Sequence, residues 1–215
     1  MMDKKAFLEN LAKDLKPQQP WRPGRETLLW VLLAIVLNAM AMLYFQNFRP
    51  HFAHDLIQYP RFTLEIILGF SFCAYSAYWI FQFFIPGTQM TLRQKVMGWL
   101  LGAGLALSVL SSFYLDSPDH GRLGARPYCL EEVLLYGLIG ILSFQFVTRK
   151  IDFNISGWKY SMMGLSAGLV PALLMHLSCM YSPMHSIIAH YGPLLLLVPI
   201  AMGTTYLRRF FARKN

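Results

Sequence analysis

Six apolar runs, each near the length needed to cross a bilayer, constrain this chain more than any other feature of its sequence. They lie at 27–46, 62–84, 96–115, 130–147, 159–180 and 187–207. A helix spans the hydrocarbon core with about 20 mostly apolar residues, and the fourth run sits at the low end of the workable range. Only short connections separate the runs, so no sizeable soluble domain fits between them. Lipid offers the backbone no hydrogen-bond partner, and each run must therefore close its bonds internally as a helix. The expected fold is all-α: a polytopic membrane protein whose residues 27–207 form a bundle of six transmembrane helices. Composition agrees, since 14 % of residues are charged where soluble domains carry about a quarter.

The flanks differ from the runs. Residues 1–26 are charged and do not resemble a cleaved signal, whose apolar region would come sooner and end at a small-residue cleavage site. Phe7, Leu8, Leu11 and Leu15 fall on one face at helical spacing, opposite lysines and acidic residues, which predicts a short amphipathic helix. Pro17, Pro20 and Pro23 end it and make a semi-rigid linker. Two uses are open: a helix lying on anionic lipid, or a docking helix that presents its leucine face to a cytoplasmic partner. Residues 208–215 form a basic tail.

The excess of positive charge, +8, encodes orientation in such a chain. With the N-terminus inside and six alternating spans, the inner segments hold Lys4, Lys5, Lys13, Lys16, Arg22, Arg25, Arg93, Lys95, Arg149, Lys150, Lys159, Arg208, Arg209, Arg213 and Lys214. The outer segments hold only Arg49, Arg61, Arg122 and Arg126. Both termini are therefore expected in the cytoplasm. All six histidines then fall toward the outside: His51 and His54 in the first outer loop, His120 in the second, and His176, His185 and His190 at or near the third. Cys129 and Cys179 join them, at the outer ends of spans four and five. Cys73 lies near the middle of span two and reads as a small buried apolar residue.

Within the spans polar residues are few: Asn38, Glu65 and Gln145. Glu65 is expected about one turn below the outer surface, within reach of water. A row of convergent charges of the kind that marks an ion pathway is absent from the sequence. Gly98 with Gly102, and Gly164 with Gly168, make small-residue patterns suited to close helix packing. Pro171, Pro193 and Pro199 are expected to kink spans five and six.

The stretch "HLSCMYSPMHSIIAH" (176–190) carries the chemistry. His176 and Cys179 are three residues apart, and such a pair shares a helix face. His185 and Met184 follow Pro183, and His190 begins span six. If spans four and five touch at their outer ends, Cys129 and Cys179 can meet, with Glu131 and Glu132 beside them. Three readings stay open: a static disulfide, favoured by an oxidising exterior; a switch that answers oxidants or thiol-reactive metals; and a site for a soft ion such as copper or zinc. The plain alternative is that these are ordinary polar residues at a membrane edge. An enzyme is not expected, because CxxC, HExxH, GxSxG and Gly-rich phosphate loops are all missing. Direct nucleic-acid binding is not expected either, since the basic residues follow topology.

The order of "FLENLAKDLKP" before span one, six short-looped spans, Cys-Leu at the head of span four, and a His/Cys cluster followed by "SP" after span five resembles the NrsF-type anti-sigma factors. These are six-span bacterial inner-membrane proteins that restrain extracytoplasmic-function sigma factors. The resemblance covers nearly the whole chain. It implies a non-enzymatic regulator whose N-terminal tail holds a sigma factor, through Phe7, Leu8, Leu11 and Leu15. It also implies that Cys129 and Cys179 answer metal or oxidant stress; by their position, His176, His185, His190, Met184, Glu131 and Glu132 are the candidate further ligands or their supports. Here the His and Cys after span five have two residues between them, where family members often have them adjacent. Two other classes compete: a small membrane protein that binds or transports a soft metal ion, and a structural bundle held by a static disulfide.

Overall fold

A computed structural model describes residues 22–45, 52–115, 127–149, 157–179 and 182–212. The tail residues Phe7, Leu8, Leu11 and Leu15, together with His51 and His120, lie outside them. The regular elements among the described residues are all helical, with no strand: α1 (Pro23–Phe45), α2 (Phe52–Gln58), α3 (Pro60–Gln82), α4 (Leu92–Ser111), α5 (Cys129–Val147), α6 (Ser161–Ser178), α7 (Pro183–His185) and α8 (Leu194–Ala212). A 3-10 turn, Gly157–Tyr160, leads into α6, and a π-helical turn, Ser186–Tyr191, joins α7 to α8. Among the described residues, six helical segments are long and apolar enough to cross a membrane: α1, α3, α4, α5, α6 and the unit Pro183–Arg208. They correspond one to one with the six runs. The last begins at Pro183 rather than 187, because Pro at the first helical position starts a helix without losing a needed donor.

Burial sorts the six. α6 is the central helix, packed against α1, α3, α5 and α8, and most of it is buried. α4 is peripheral: it packs chiefly on α3 and stays largely exposed. Exposed leucines such as Leu28, Leu100 and Leu195 are what a lipid-facing surface requires.

The small residues in α6 explain its position. A Cβ built on Gly164 would lie 2.6 Å from the Val198 Cα and 2.7 Å from the Leu197 carbonyl oxygen. Backbone therefore meets backbone where α6 crosses α8, and only glycine fits. Gly140 of α5 makes a comparable approach to Ala167, whose Cα and carbonyl oxygen lie 3.2 and 3.1 Å from its built Cβ. Gly98 and Gly102 instead lie under the Tyr75 and Phe72 rings of α3. Both sequence patterns are thus packing devices inside the bundle.

Polar stitches complete the core. The Trp30 indole N–H of α1 donates to the Gly140 carbonyl of α5 at 3.1 Å. Ser76 and Ser166 hydroxyls meet at 2.7 Å across the α3–α6 contact, and the Cys73 thiol donates to the Ser166 carbonyl at 3.4 Å. The Asn38 side-chain N–H donates to the Ala34 carbonyl of its own helix at 2.7 Å. Arg208 closes the opposite end of the bundle, donating to the Thr148 carbonyl at 3.1 Å.

Antiparallel alternation separates the bundle's two ends. The start of α5, the end of α6, the π turn and the start of α3 meet at one, where Cys129, Cys179, His185, His190 and Glu65 lie. Lys95, Arg149, Lys159 and Arg208 belong to the helix ends at the other. The charge asymmetry read along the sequence thus becomes an asymmetry of the fold.

Candidate functional site

Cys129 is the first residue of α5 and is buried. Cys179 follows the last residue of α6, with its backbone already extended (φ −98°, ψ 164°). Its N–H still donates to the Met175 carbonyl at 2.7 Å, so the sulfur is held firmly although the helix has ended. The two sulfurs lie 3.0 Å apart as free cysteines.

The histidines arrive by a different device. His185 ends α7 and His190 sits in the π turn. Five residues apart on an ordinary α-helix, at about 100° per residue, they would point well away from each other. The π turn widens the helix, with Gly192 N–H donating to the Ile187 carbonyl, five residues back, at 2.8 Å, and it brings the two rings to 5.0 Å between centroids. Single π turns of this kind recur at functional sites. The His185 Nε2 lies 3.2 Å from the Cys179 sulfur. The ligand atoms of Cys129, Cys179, His185 and His190 all lie within 4.8 Å of one another.

This donor set fits a soft ion. Tetrahedral zinc with two thiolates and two imidazoles places neighbouring ligand atoms about 3.3–3.8 Å apart, given its bond lengths, so side-chain adjustments of about an ångström close the shell. Thiolate and imidazole select zinc or copper over hard cations, which take oxygen. The electrostatics favour it too. The Cys179 thiol is lowered from its ordinary value to about 4, first by the hydrogen bond from Cys129, against the opposing effect of burial, with His190 and His185 assisting. At neutral pH Cys179 is therefore a thiolate, the form that binds metals and attacks electrophiles.

Several expected members fall elsewhere. His176 was expected to share a face with Cys179, but the extended backbone at Cys179 breaks the helical relation. His176 stands one layer behind, its ring 4.8 Å from that of His190 and 3.6 Å (Nε2–Oε1) from Glu65. Met184 is exposed, and so is Glu131 on the first turn of α5. Glu132 is only partly covered and, like Met184 and Glu131, is outside the four-donor set. His54 on α2 is exposed. Glu65 does not reach water: it is fully buried, bonded to Arg61 and Tyr191. Sequence reasoning passed over both of those partners. The i,i+4 spacing of Arg61 and Glu65 was a visible signal for the first, whereas Tyr191 reaches Glu65 only because the π turn carries it there.

Fold and site together define a helical bundle of membrane-spanning type with a compact Cys₂His₂ donor set at one end. The chain belongs to the NrsF family, described as negative regulator of sigma F, whose family model matches residues 11–212. The partner such a regulator acts on is a sigma factor. No curated protein matches the chain, and no solved structure does.

Proposed function

We propose that this protein is a bacterial inner-membrane anti-sigma factor. Its N-terminal tail sequesters an extracytoplasmic-function sigma factor, and its outward Cys/His site triggers release in response to a soft metal ion or an oxidant. The observation that carries this reading is the Cys129–Cys179 pair, 3.0 Å apart with two imidazoles beside it, in a chain of a sigma-regulator family. The two cysteines sit on different helices, so any bond between them, direct or through an ion, ties α5 to α6.

Either trigger can supply the required energy. Moving a two-state equilibrium from nearly all closed to nearly all open takes about 5.5 kcal/mol of differential stabilisation. Structural zinc sites contribute about 10–16 kcal/mol when they form. In the oxidant branch, the Cys179 thiolate and the Cys129 thiol form an S–S bond, two electrons pass to the oxidant, and the remaining thiol proton leaves to solvent. The signal reaches the cytoplasm only if closure of the site favours one of two bundle arrangements. α6 is suited to carry it, because it touches four other spans and contains Pro171. With both termini inside, as the distribution of Lys and Arg argues, the tail and the site lie on opposite faces of the membrane.

The test is a pull-down of cytoplasmic proteins on membranes bearing wild-type protein, a 1–16 deletion, or Cys129→Ser/Cys179→Ser. Wild type should retain a sigma factor and release it on exposure to metal or oxidant. The deletion should lose it, and the double variant should retain it without release. The donor set also supports a second reading, a small protein that binds or moves a soft metal ion. Metal handling that survives loss of residues 1–16, with no sigma factor retained by wild type, would replace the first reading by the second.

A further inference from the structure

We propose that Glu65 is a positioning residue of the Cys/His site. Through His176 and Tyr191 it holds the π-helical turn that presents His190, and through Arg61 it ties that turn to α4. The inference rests on the reading of the site as a soft-metal centre and adds to it a carboxylate outside the four-donor set.

A fully buried carboxylate in a membrane-spanning helix is costly and tends to be kept where it works. Glu65 meets three elements at once. The Arg61 guanidinium of α3 donates to its Oε2 at 3.0 Å. The same Arg61 nitrogen donates to the Ser108 carbonyl of α4 at 3.0 Å. The Tyr191 hydroxyl of the π turn donates to Oε1 at 3.1 Å, and the His176 Nε2 of α6 stands 3.6 Å from that same oxygen.

A structural ion pair would need only Arg61, one helical turn away. The other two contacts are the informative ones, because both bracket His190. Tyr191 is its chain neighbour, and the His176 ring packs edge-on against the His190 ring at 4.8 Å. Glu65 therefore hydrogen-bonds the residue beside the ligand and stands against the ring behind it. A π turn is a rare helical form found mostly as a single turn, and side chains from other elements are what can hold it. Outer partners that orient metal-binding histidines commonly act by direct hydrogen bonds, and their loss costs about 10–100-fold in metal affinity. Here the same service comes through two intermediaries, and Arg61 extends it to α4, the least anchored of the six spans.

The test uses full-length protein in lipid nanodiscs, titrated with Co²⁺, whose thiolate charge-transfer and ligand-field bands report the site directly. Wild type should show both bands, and Cys129→Ser should lose the charge-transfer intensity. Glu65→Gln should keep the bands but bind about 10–100-fold more weakly, with Tyr191→Phe showing a smaller loss in the same direction. Arg61→Gln/Glu65→Gln removes the ion pair as a unit and separates positioning from stability. It should recover thermal stability relative to Glu65→Gln while its Co²⁺ affinity stays low. Should Glu65→Gln fail to fold, the double variant and Tyr191→Phe carry the test. Wild-type affinity in Glu65→Gln, or affinity that recovers together with stability in the double variant, overturns the inference alone. A wild-type protein without the charge-transfer band overturns the metal-site reading, and this inference with it.

Discussion

Cysteine occurs in two regions of this molecule, alike in burial and different in their neighbours. Cys73 lies in the middle of the bundle, where α3 meets α6. It is buried among apolar side chains and shares the Ser76–Ser166 hydroxyl contact, with its thiol on the Ser166 carbonyl. Cys129 and Cys179 lie at the end of the bundle, equally buried, but facing each other and two imidazoles. Burial alone keeps a thiol neutral and inert. Burial beside hydrogen-bond donors, the Cys129 thiol and the His190 imidazole, holds a thiolate. The chemistry belongs to the neighbours, and the neighbours are assembled from four separate elements: α5, the end of α6, α7 and the π turn.

The sharpest test of that contrast is Cys179→Ser, which removes a ligand from the compact set. Metal affinity should fall by more than the roughly 100-fold that loss of an outer partner can cause, with release of the sigma factor abolished, as isothermal titration and a promoter reporter would read. A Cys179→Ser protein that still responds would break the comparison outright. Next comes Cys129→Ala, which deletes the main hydrogen bond holding the Cys179 thiolate. The Cys179 titration, followed by thiolate ultraviolet absorbance, should move up from about 4 toward its ordinary value of 9.0.

The same shift has a consequence for stability. Because the folded-state value of Cys179 is depressed, ionisation favours the folded protein above the ordinary thiol range, and that contribution fades as pH falls through about 4. Thermal unfolding in detergent across this window should show wild type losing more stability toward acid than Cys179→Ala does. If the two curves run parallel, the thiolate assignment fails.

Cys73→Ala should be nearly silent. It removes one sulfur and a long hydrogen bond, at about 1 kcal/mol, and should leave metal binding and release at wild-type levels. Smallest of all are Met184→Leu and Glu131→Gln, which should leave Co²⁺ affinity within about twofold, since both side chains are exposed and surface changes cost little. A large loss in either would mean that the site is wider than the four donors.

Much of this was legible along the chain because lipid makes local sequence decisive. Each span closes its own hydrogen bonds, so apolar length alone marked six helices, and Lys and Arg placement separated the two ends. Cys129 and Cys179 stood out as two cysteines at like-facing helix ends. Glu65 was visible as an isolated carboxylate, but its complete burial was not. His176 misled for a specific reason: the i,i+3 rule assumes that the helix continues, and α6 stops at Ser178.

The sequence by itself determined the class: six helices, their alternation, and the gathering of cysteine and histidine at one end. These follow from bilayer thickness and backbone hydrogen bonding, which act within each segment. Only the tertiary structure decided which side chains form the donor set. That choice depends on the extended backbone at Cys179, on a π turn that aligns residues five apart, and on Gly164 and Gly140, which let α6 approach α8 and α5. Apart from the Gly164–Gly168 spacing, which marked close packing without naming its partner, none of these has a period or a composition to read, because each exists only where separate helices pack together.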